Sequence, residues 1–301
     1  MPETPEDDLL SSVLRSLRLR VRIFKQGSYC GAWALDAKGV SHGVFHLIGR
    51  GQAWVHRRGT RETLLLRGGD LVMFPRAEWH QLSGTPARQP GMCLRRDGAG
   101  PFTTILCASI DFESGRLNPV LRSLPSPMVV RSEDQGTSAE LHALARLMLT
   151  EYEAAAPGRQ DVLDRLAEAM FVLVLRHHMQ QSPRLEGFLA ALKDERVARA
   201  LAALHAGPGR DWRVDALASE AGMSRTAFAE RFTALLGQSP MQYVAAWRMH
   251  LADGMLKERH SSVARIAERL GYQTEAAFRR AFSRVRGVGP GDVRRKARAA
   301  A

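Results

Sequence analysis

Between residues 214 and 290 the chain spells one pattern twice. Leu217-Ala218 recurs as Ile266-Ala267, Gly222 as Gly271, Phe228 as Phe278, Phe232 as Phe282, Gly237 as Gly287 and Ser239-Pro240 as Gly289-Pro290, each offset by 49 or 50 positions. A repeat of that length is one supersecondary unit used twice, which confines the fold to architectures able to carry two copies. In each copy a short helix of apolar periodicity meets a turn at Gly222 or Gly271, and a second helix begins behind Ser224 or Thr274 in capping position. That order is a helix-turn-helix. Phe228 and Phe232, like Phe278 and Phe282, stand four apart on a face that must point to a core. The opposite face carries Arg225, Thr226, Ala229 and Glu230 in the first copy and Glu275, Ala276, Arg279 and Arg280 in the second, with Ser224, Gln273 and Thr274 at the helix starts. A helix in the major groove would offer these groups to base edges, where arginine takes guanine bidentately and glutamate accepts from cytosine; the same arginines can pair with phosphates instead. Between the copies, MQYVAAWRMHLADGMLKE reads as a helix that holds the two recognition helices apart, about one DNA turn or roughly 34 Å being needed on one face of a duplex.

Charge points to the same partner. The net charge is +12, and residues 193–301 hold 20 Lys and Arg against 11 Asp and Glu, leaving an excess of only three for the rest of the chain. Clustered cations suit a phosphate backbone, from which they release counterions. A solvated arginine-rich surface is the competing reading of charge alone. With 301 residues, 45% of them hydrophobic and 25% charged, the chain has material for two ordinary cores. No run of about 18 apolar residues occurs and the first ten, MPETPEDDLL, are acidic, so a cytoplasmic protein without a membrane span is expected. Cys30, Cys93 and Cys107 are odd in number and far apart, which fits a reducing compartment better than a disulfide framework.

Residues 20 to 130 read differently. Short apolar runs such as GVFHLIGRGQAWVHRRG, TLLLRGGDLVMFP and FTTILCASIDF, punctuated by glycine, are strand signals for an antiparallel sandwich or barrel. From Ser138 the period changes to three and four, and AELHALARLMLTEYEAA and VLDRLAEAMFVLVLRHHMQQ read as two antiparallel helices ahead of a connector at Gln180–Pro183. Leu166, Met170, Phe171, Leu173, Val174 and Leu175 make the second helix apolar around much of its circumference. Two readings follow, a homodimer seam or packing against its own domain.

The stretch WRVDALASEAGMSRTAFAERFTALLGQSPMQYVAAWRMHLADGMLKE, followed by IAERLGYQTEAAFRRAFSRVRGVGPGDVRR, resembles the signature of the AraC/XylS regulators nearly position by position. That family's Gly-Tyr-x-Ser element stands here as Gly271-Tyr272-Gln273-Thr274, keeping the hydroxyl, and its G-x-x-P element is Gly287-Val288-Gly289-Pro290. GGDLVMFPRAEWH is similar to the second motif of cupin barrels, with Gly69, Pro75 and His80 in place and Ala77 where glycine is usual. Trp33, Phe45-His46-Leu47 and Leu106-Cys107 match recurring elements of a cupin-type sensor found in many such regulators, although Ala108 replaces a usual glycine. The resemblance implies an α+β chain: an N-terminal tail over 1–19, a cupin-like β-barrel sensor over 20–135, a helical dimerisation hairpin over 136–182, and an all-α domain of two helix-turn-helix units joined by a long helix over 193–296. It also implies a sequence-specific regulator of transcription that binds double-stranded DNA, activates through RNA polymerase, and takes a small molecule, metal or oxidant as its effector in the barrel.

Metal-dependent cupins use two histidines and a glutamate from their first motif and a histidine from the second. Here SHGVFHLIGRGQ supplies His42 and His46 without a following carboxylate, so the ligand set is incomplete and no enzyme is expected. The alternative is a cupin metalloenzyme with an accessory nucleic-acid-binding domain. No cofactor is required, but His46 and His80 are candidate metal ligands, with Cys93 or Cys107 able to complete a soft site. As redox candidates the three cysteines differ: Cys93 adjoins Arg95 and Arg96, Cys107 sits in the apolar run ILCASI, and Cys30 stands beside Gly31 at a turn-to-strand edge open to exposure; structural filling is the other reading of each.

Overall fold

The computed structural model describes residues 8–37, 43–88, 102–112, 119–134, 139–257 and 261–299. The chain divides into two compact units, one of residues 20–111 and 124–183, the other of residues 1–19, 112–123 and 184–301. The first is built mainly from strands β1 (Leu19–Tyr29), β2 (Ala34–Asp36), β3 (Gly43–Arg50), β4 (Gln52–Arg57), β5 (Thr63–Arg67), β6 (Leu71–Phe74), β7 (His80–Ser83), β8 (Thr103–Phe112) and β9 (Met128–Val130). Helices α1 (Leu9–Ser16) and α2 (Pro119–Arg122) belong to the second unit, and α3 (Ala139–Ala154) and α4 (Arg159–Gln181) to the first. The second continues with α5 (Gly187–Lys193), α6 (Glu195–Ala206), α7 (Val214–Ala221), α8 (Arg225–Leu236), α9 (Pro240–Lys257), α10 (Val263–Arg269), α11 (Glu275–Arg286) and α12 (Pro290–Ala299).

The strands form a five-stranded sheet, β1-β8-β3-β6-β9, and a four-stranded sheet, β2-β7-β4-β5. Alternation along each strand decides the interior. Val44 and Ile48 of β3, Val72 and Phe74 of β6 and Ile105 and Cys107 of β8 join one apolar cluster with Leu35, Val55, Leu66 and Leu82 of the facing sheet. The intervening Phe45 and Leu47 are also fully covered, because α3 and α4 pack on that side: Leu47, Leu71, Leu141, Met170 and Val174 line one small apolar gap. Gly49 has no side chain where Leu149 presses closest to β3. A sheet edge normally leaves backbone groups bare. Here α4 covers β1 at Ile23, whose N–H donates to Asp164 Oδ1 at 2.8 Å and whose carbonyl accepts from Gln160 Nε2 at 2.9 Å. On α4 itself Met170, Phe171, Val174 and Leu175 are buried within the chain, so much of its apolar circumference is satisfied internally.

In the second unit two helix-turn-helices flank α9. Met249, Ala252 and Leu256 of α9 share a core with Ile266, Leu270, Phe278 and Phe282. The expectation of a bare tail over residues 1–19 gives way to α1. Asp8 caps it by accepting from Ser11 N at 2.9 Å, and the spacing of Val13, Leu14 and Leu17 buries one face, Val13 and Leu17 completely. Residues 112–123 also differ from the expected barrel membership. Val120 is buried in the second unit, and Ser123 Oγ accepts the N–H of Phe188 at 2.8 Å. Local periodicity carries no information about such long-range partnerships.

Candidate functional site

The two turns are copies in hydrogen bonds as well as in letters. α7 stops at Gly222, whose φ of +63° suits glycine, with Gly222 N donating to Ser219 O and Met223 N to Ala218 O at 2.9 Å. In the second copy Gly271 takes φ +76°, Gly271 N donates to Glu268 O and Tyr272 N to Ala267 O, also at 2.9 Å. These left-handed closures satisfy the last carbonyls of the first helix and turn the chain into the second. Ser224 Oγ then accepts from Ala227 N at 3.4 Å and Thr274 Oγ1 from Ala277 N at 3.1 Å, so each hydroxyl caps its helix as an acceptor and keeps its O–H as a donor.

With Phe228, Phe232, Phe278 and Phe282 fully buried, the expected recognition faces turn outward. Arg225, Thr226 and Glu230 are exposed and Ala229 half-buried; Gln273, Ala276, Arg279 and Arg280 are exposed and Glu275 half-buried. Their electrostatics differ. Arg225 lies 3.7 Å from Asp215, whereas Arg279 is held by Glu275 one turn earlier at 2.6 Å. Arg280 has no ion pair among the described residues, and its guanidinium stands ready for an anion or a guanine edge. Sequence reasoning passed over Asp253, which links α9 to α11. It is buried, and pairs with Arg286 of α11 at 2.7 Å and with Lys257 at 2.9 Å. Only the i,i+4 relation to Lys257 was visible in the sequence.

The barrel interior brings together His46 and His80. Their Nε2 atoms are 2.8 Å apart, His80 stacks on Phe74 with ring centroids 3.7 Å apart, and His80 Nδ1 bonds the Glu78 carbonyl at 2.9 Å. With its Nδ1–H donating to that carbonyl, His80 accepts at Nε2 from His46, which leaves His46 Nδ1 bare, and no partner for it occurs among the described residues. Burial pushes both imidazoles down, His80 to about 4 and His46 well below its usual value, so both are neutral near pH 7. Cys107 stands opposite His46 in the β3–β8 register, but burial pushes its thiol up to about 12, against thiolate reactivity. Of the two readings of Cys30, exposure gives way to burial: 1% of its surface is accessible, because β1 ends inside the core beside Tyr29. Cys93 and His42 lie outside the described residues. Among the described residues no three His, Cys, Asp or Glu groups converge on a point, and the hydrogen bond between the two imidazoles occupies Nε2 of each ring. Among the described residues His46 and His80 are therefore two donors without a third. No helix among the described residues is long and apolar enough to cross a membrane.

Comparison with known proteins gives two family matches, one described as Cupin over residues 8–180 and one as Helix-turn-helix domain over residues 217–296. A putative AraC-like transcription regulator of Streptomyces lividans is 31% identical over 96% of this chain and 98% of its own length. The HTH-type transcriptional regulator AlkR of Acinetobacter baylyi is 28% identical over 92% of this chain and 95% of its own. Among solved structures, the DNA-binding domain of AdpA in complex with a target DNA is 31% identical, with a TM-score of 0.34, covering 36% of this chain and 96% of that one.

Proposed function

The chain belongs to the AraC-like transcription regulators, DNA-binding proteins whose helix-turn-helix domain here follows a cupin domain, and from that premise we propose that it is a sequence-specific activator with two recognition helices on adjacent major-groove segments and a signal-receiving barrel. One observation carries the reading: the second helix of each copy is closed by the same glycine bonds, capped by the same hydroxyl, and turned so that its apolar face is buried and its polar face free. On those faces Arg225, Glu230, Arg279 and Arg280 are the base and phosphate readers, with Thr226, Ala229, Gln273 and Ala276 completing the contact surface. Glu275 sets the direction of Arg279 through their ion pair.

A small molecule is the signal the barrel favours. The paired imidazoles offer a bare acceptor, His46 Nδ1, in an otherwise apolar interior, whereas the metal and thiol chemistries meet a two-donor set and a suppressed thiol. Among the described residues the same two-donor set gives a cupin metalloenzyme no support. Contact with RNA polymerase and homodimer formation through α3 and α4 complete the proposal, the latter favoured by the exposure of Leu147 and Val162 on those helices.

The test is selection of genomic fragments by the purified protein at two salt concentrations. The expected site has two short half-motifs about one helical turn apart. In the same assay Arg280→Ala weakens specific binding about tenfold, the loss of one good base contact being on the order of 1–3 kcal/mol, with the melting temperature unchanged. Unaltered specific affinity in Arg280→Ala rejects this face of α11, and motif-free binding rejects sequence-specific regulation.

A further inference from the structure

The unit that carries the helix-turn-helices also holds a cavity of about 610 Å3 whose lining includes none of the residues assigned to DNA contact. Its walls come from α2, from α5 and the residues leading into it, from the last turn of α8, and from Tyr243 of α9. Pro119, Gln238 and Tyr243 also line an adjoining recess of 60 Å3, whose walls include Ala246, Trp247, His250 and Arg286, the last paired with Asp253. A volume of that order is typical of sites for small organic molecules, roughly 300–1,000 Å3.

The two ends differ in chemistry. Arg122 and Arg184 stand exposed at the outer end, neither in an ion pair among the described residues, with Glu186 the single carboxylate of the lining. At the inner end Trp247 is 3% exposed, and its Nε1 has no acceptor among the described residues. Trp212 shows what a satisfied indole of this unit looks like, donating to Gly207 O at 2.8 Å. A buried donor left unpaired is costly, and it marks a position where a ligand acceptor is rewarded.

We propose that this cleft binds a small amphipathic anion, an aromatic carboxylate or sulfonate whose charge faces Arg122 and Arg184, whose ring lies along Tyr243, and whose far end brings an acceptor oxygen to Trp247 Nε1. The site is separate from the barrel interior, and its occupant lies against the last turn of α8, behind the DNA-reading face.

Titration calorimetry on the full chain tests it with three probes: 6-hydroxynaphthalene-2-sulfonate, naphthalene-2-sulfonate without the hydroxyl, and uncharged 2-naphthol. The hydroxylated sulfonate is expected to bind at one site at least about tenfold tighter than 2-naphthol, a difference equivalent to about 1.4 kcal/mol. Replacing the exposed Arg122 and Arg184 by glutamine together abolishes that advantage, and Ala190→Trp, which fills the cavity, removes binding. Trp247→Phe weakens the hydroxylated probe alone and leaves naphthalene-2-sulfonate unchanged, a signature that general unfolding would not give. Binding that survives both the double arginine substitution and Ala190→Trp, equal affinity for 2-naphthol, or no binding of any probe at millimolar concentration overturns the proposal.

Discussion

A histidine pair buried in an apolar barrel ties the first unit to pH. His46 and His80 are neutral in the folded state because burial removes the water that would stabilise their charge, and their mutual hydrogen bond requires one bare nitrogen. Unfolded, each takes a proton near pH 6.5. The unfolded chain therefore binds more protons than the folded one between pH 6.5 and about 4, and stability falls as pH is lowered through that window. For His80 the loss is on the order of 3 kcal/mol at the lower end. Melting followed from pH 7.5 to 4 should show the barrel transition dropping below pH 6.5, and the double variant His46→Leu, His80→Phe should flatten the drop. An unchanged slope in that variant assigns the pH response to other groups. At the same scale Arg280 and Arg279 part company: the first has no ion pair among the described residues, whereas the second is tied to Glu275.

Turns show that the two copies are not equivalent under substitution. A Cβ on Gly271 would strike the carbonyl oxygen of Gly209, a backbone atom, in addition to the strain of φ +76°. A Cβ on Gly222 would meet only Arg199 Nη2, the end of a flexible side chain, at 3.4 Å. Gly271→Ala should cost on the order of 3 kcal/mol and Gly222→Ala about 1 kcal/mol, read by urea unfolding, with the second recognition helix losing DNA first. Equal costs would count against the close approach at Gly209. Helix-turn-helices were legible in the sequence because everything that defines them is local: the apolar period, the glycine and the capping hydroxyl fall within about 20 residues. Alternation likewise exposed the strands. The partnerships that make a site out of elements are not local. His46 and His80 are 34 positions apart, Asp253 and Arg286 are 33, and Asp164 and Ile23 are 141. No period in the chain connects them. Trp247 reads as one more apolar residue of a helix, and only folding reveals an indole N–H without an acceptor.

On the scale of the whole molecule, the second unit is assembled from three separate stretches of chain. α1 and its C-cap contribute Val13, Leu14 and Leu17, each at most 7% exposed, so deleting residues 1–19 should destabilise the second unit by on the order of 3–5 kcal/mol. Differential scanning calorimetry of the truncated chain checks this: the expected result is a lowered transition for the helical unit, and an unshifted one would mean that α1 contributes nothing there. Salt dependence belongs to this scale too, since the positive excess of residues 193–301 predicts an affinity for DNA that falls steeply between about 50 and 200 mM salt. The chain passes from one unit to the other at 19/20, 111/112, 123/124 and 183/184. A single cut therefore separates neither unit whole. A hybrid regulator spliced at residue 183 would leave α1 and α2 behind, and with them the buried Val13, Leu17 and Val120, so the apolar surface they cover would meet either water or whatever the recipient brings.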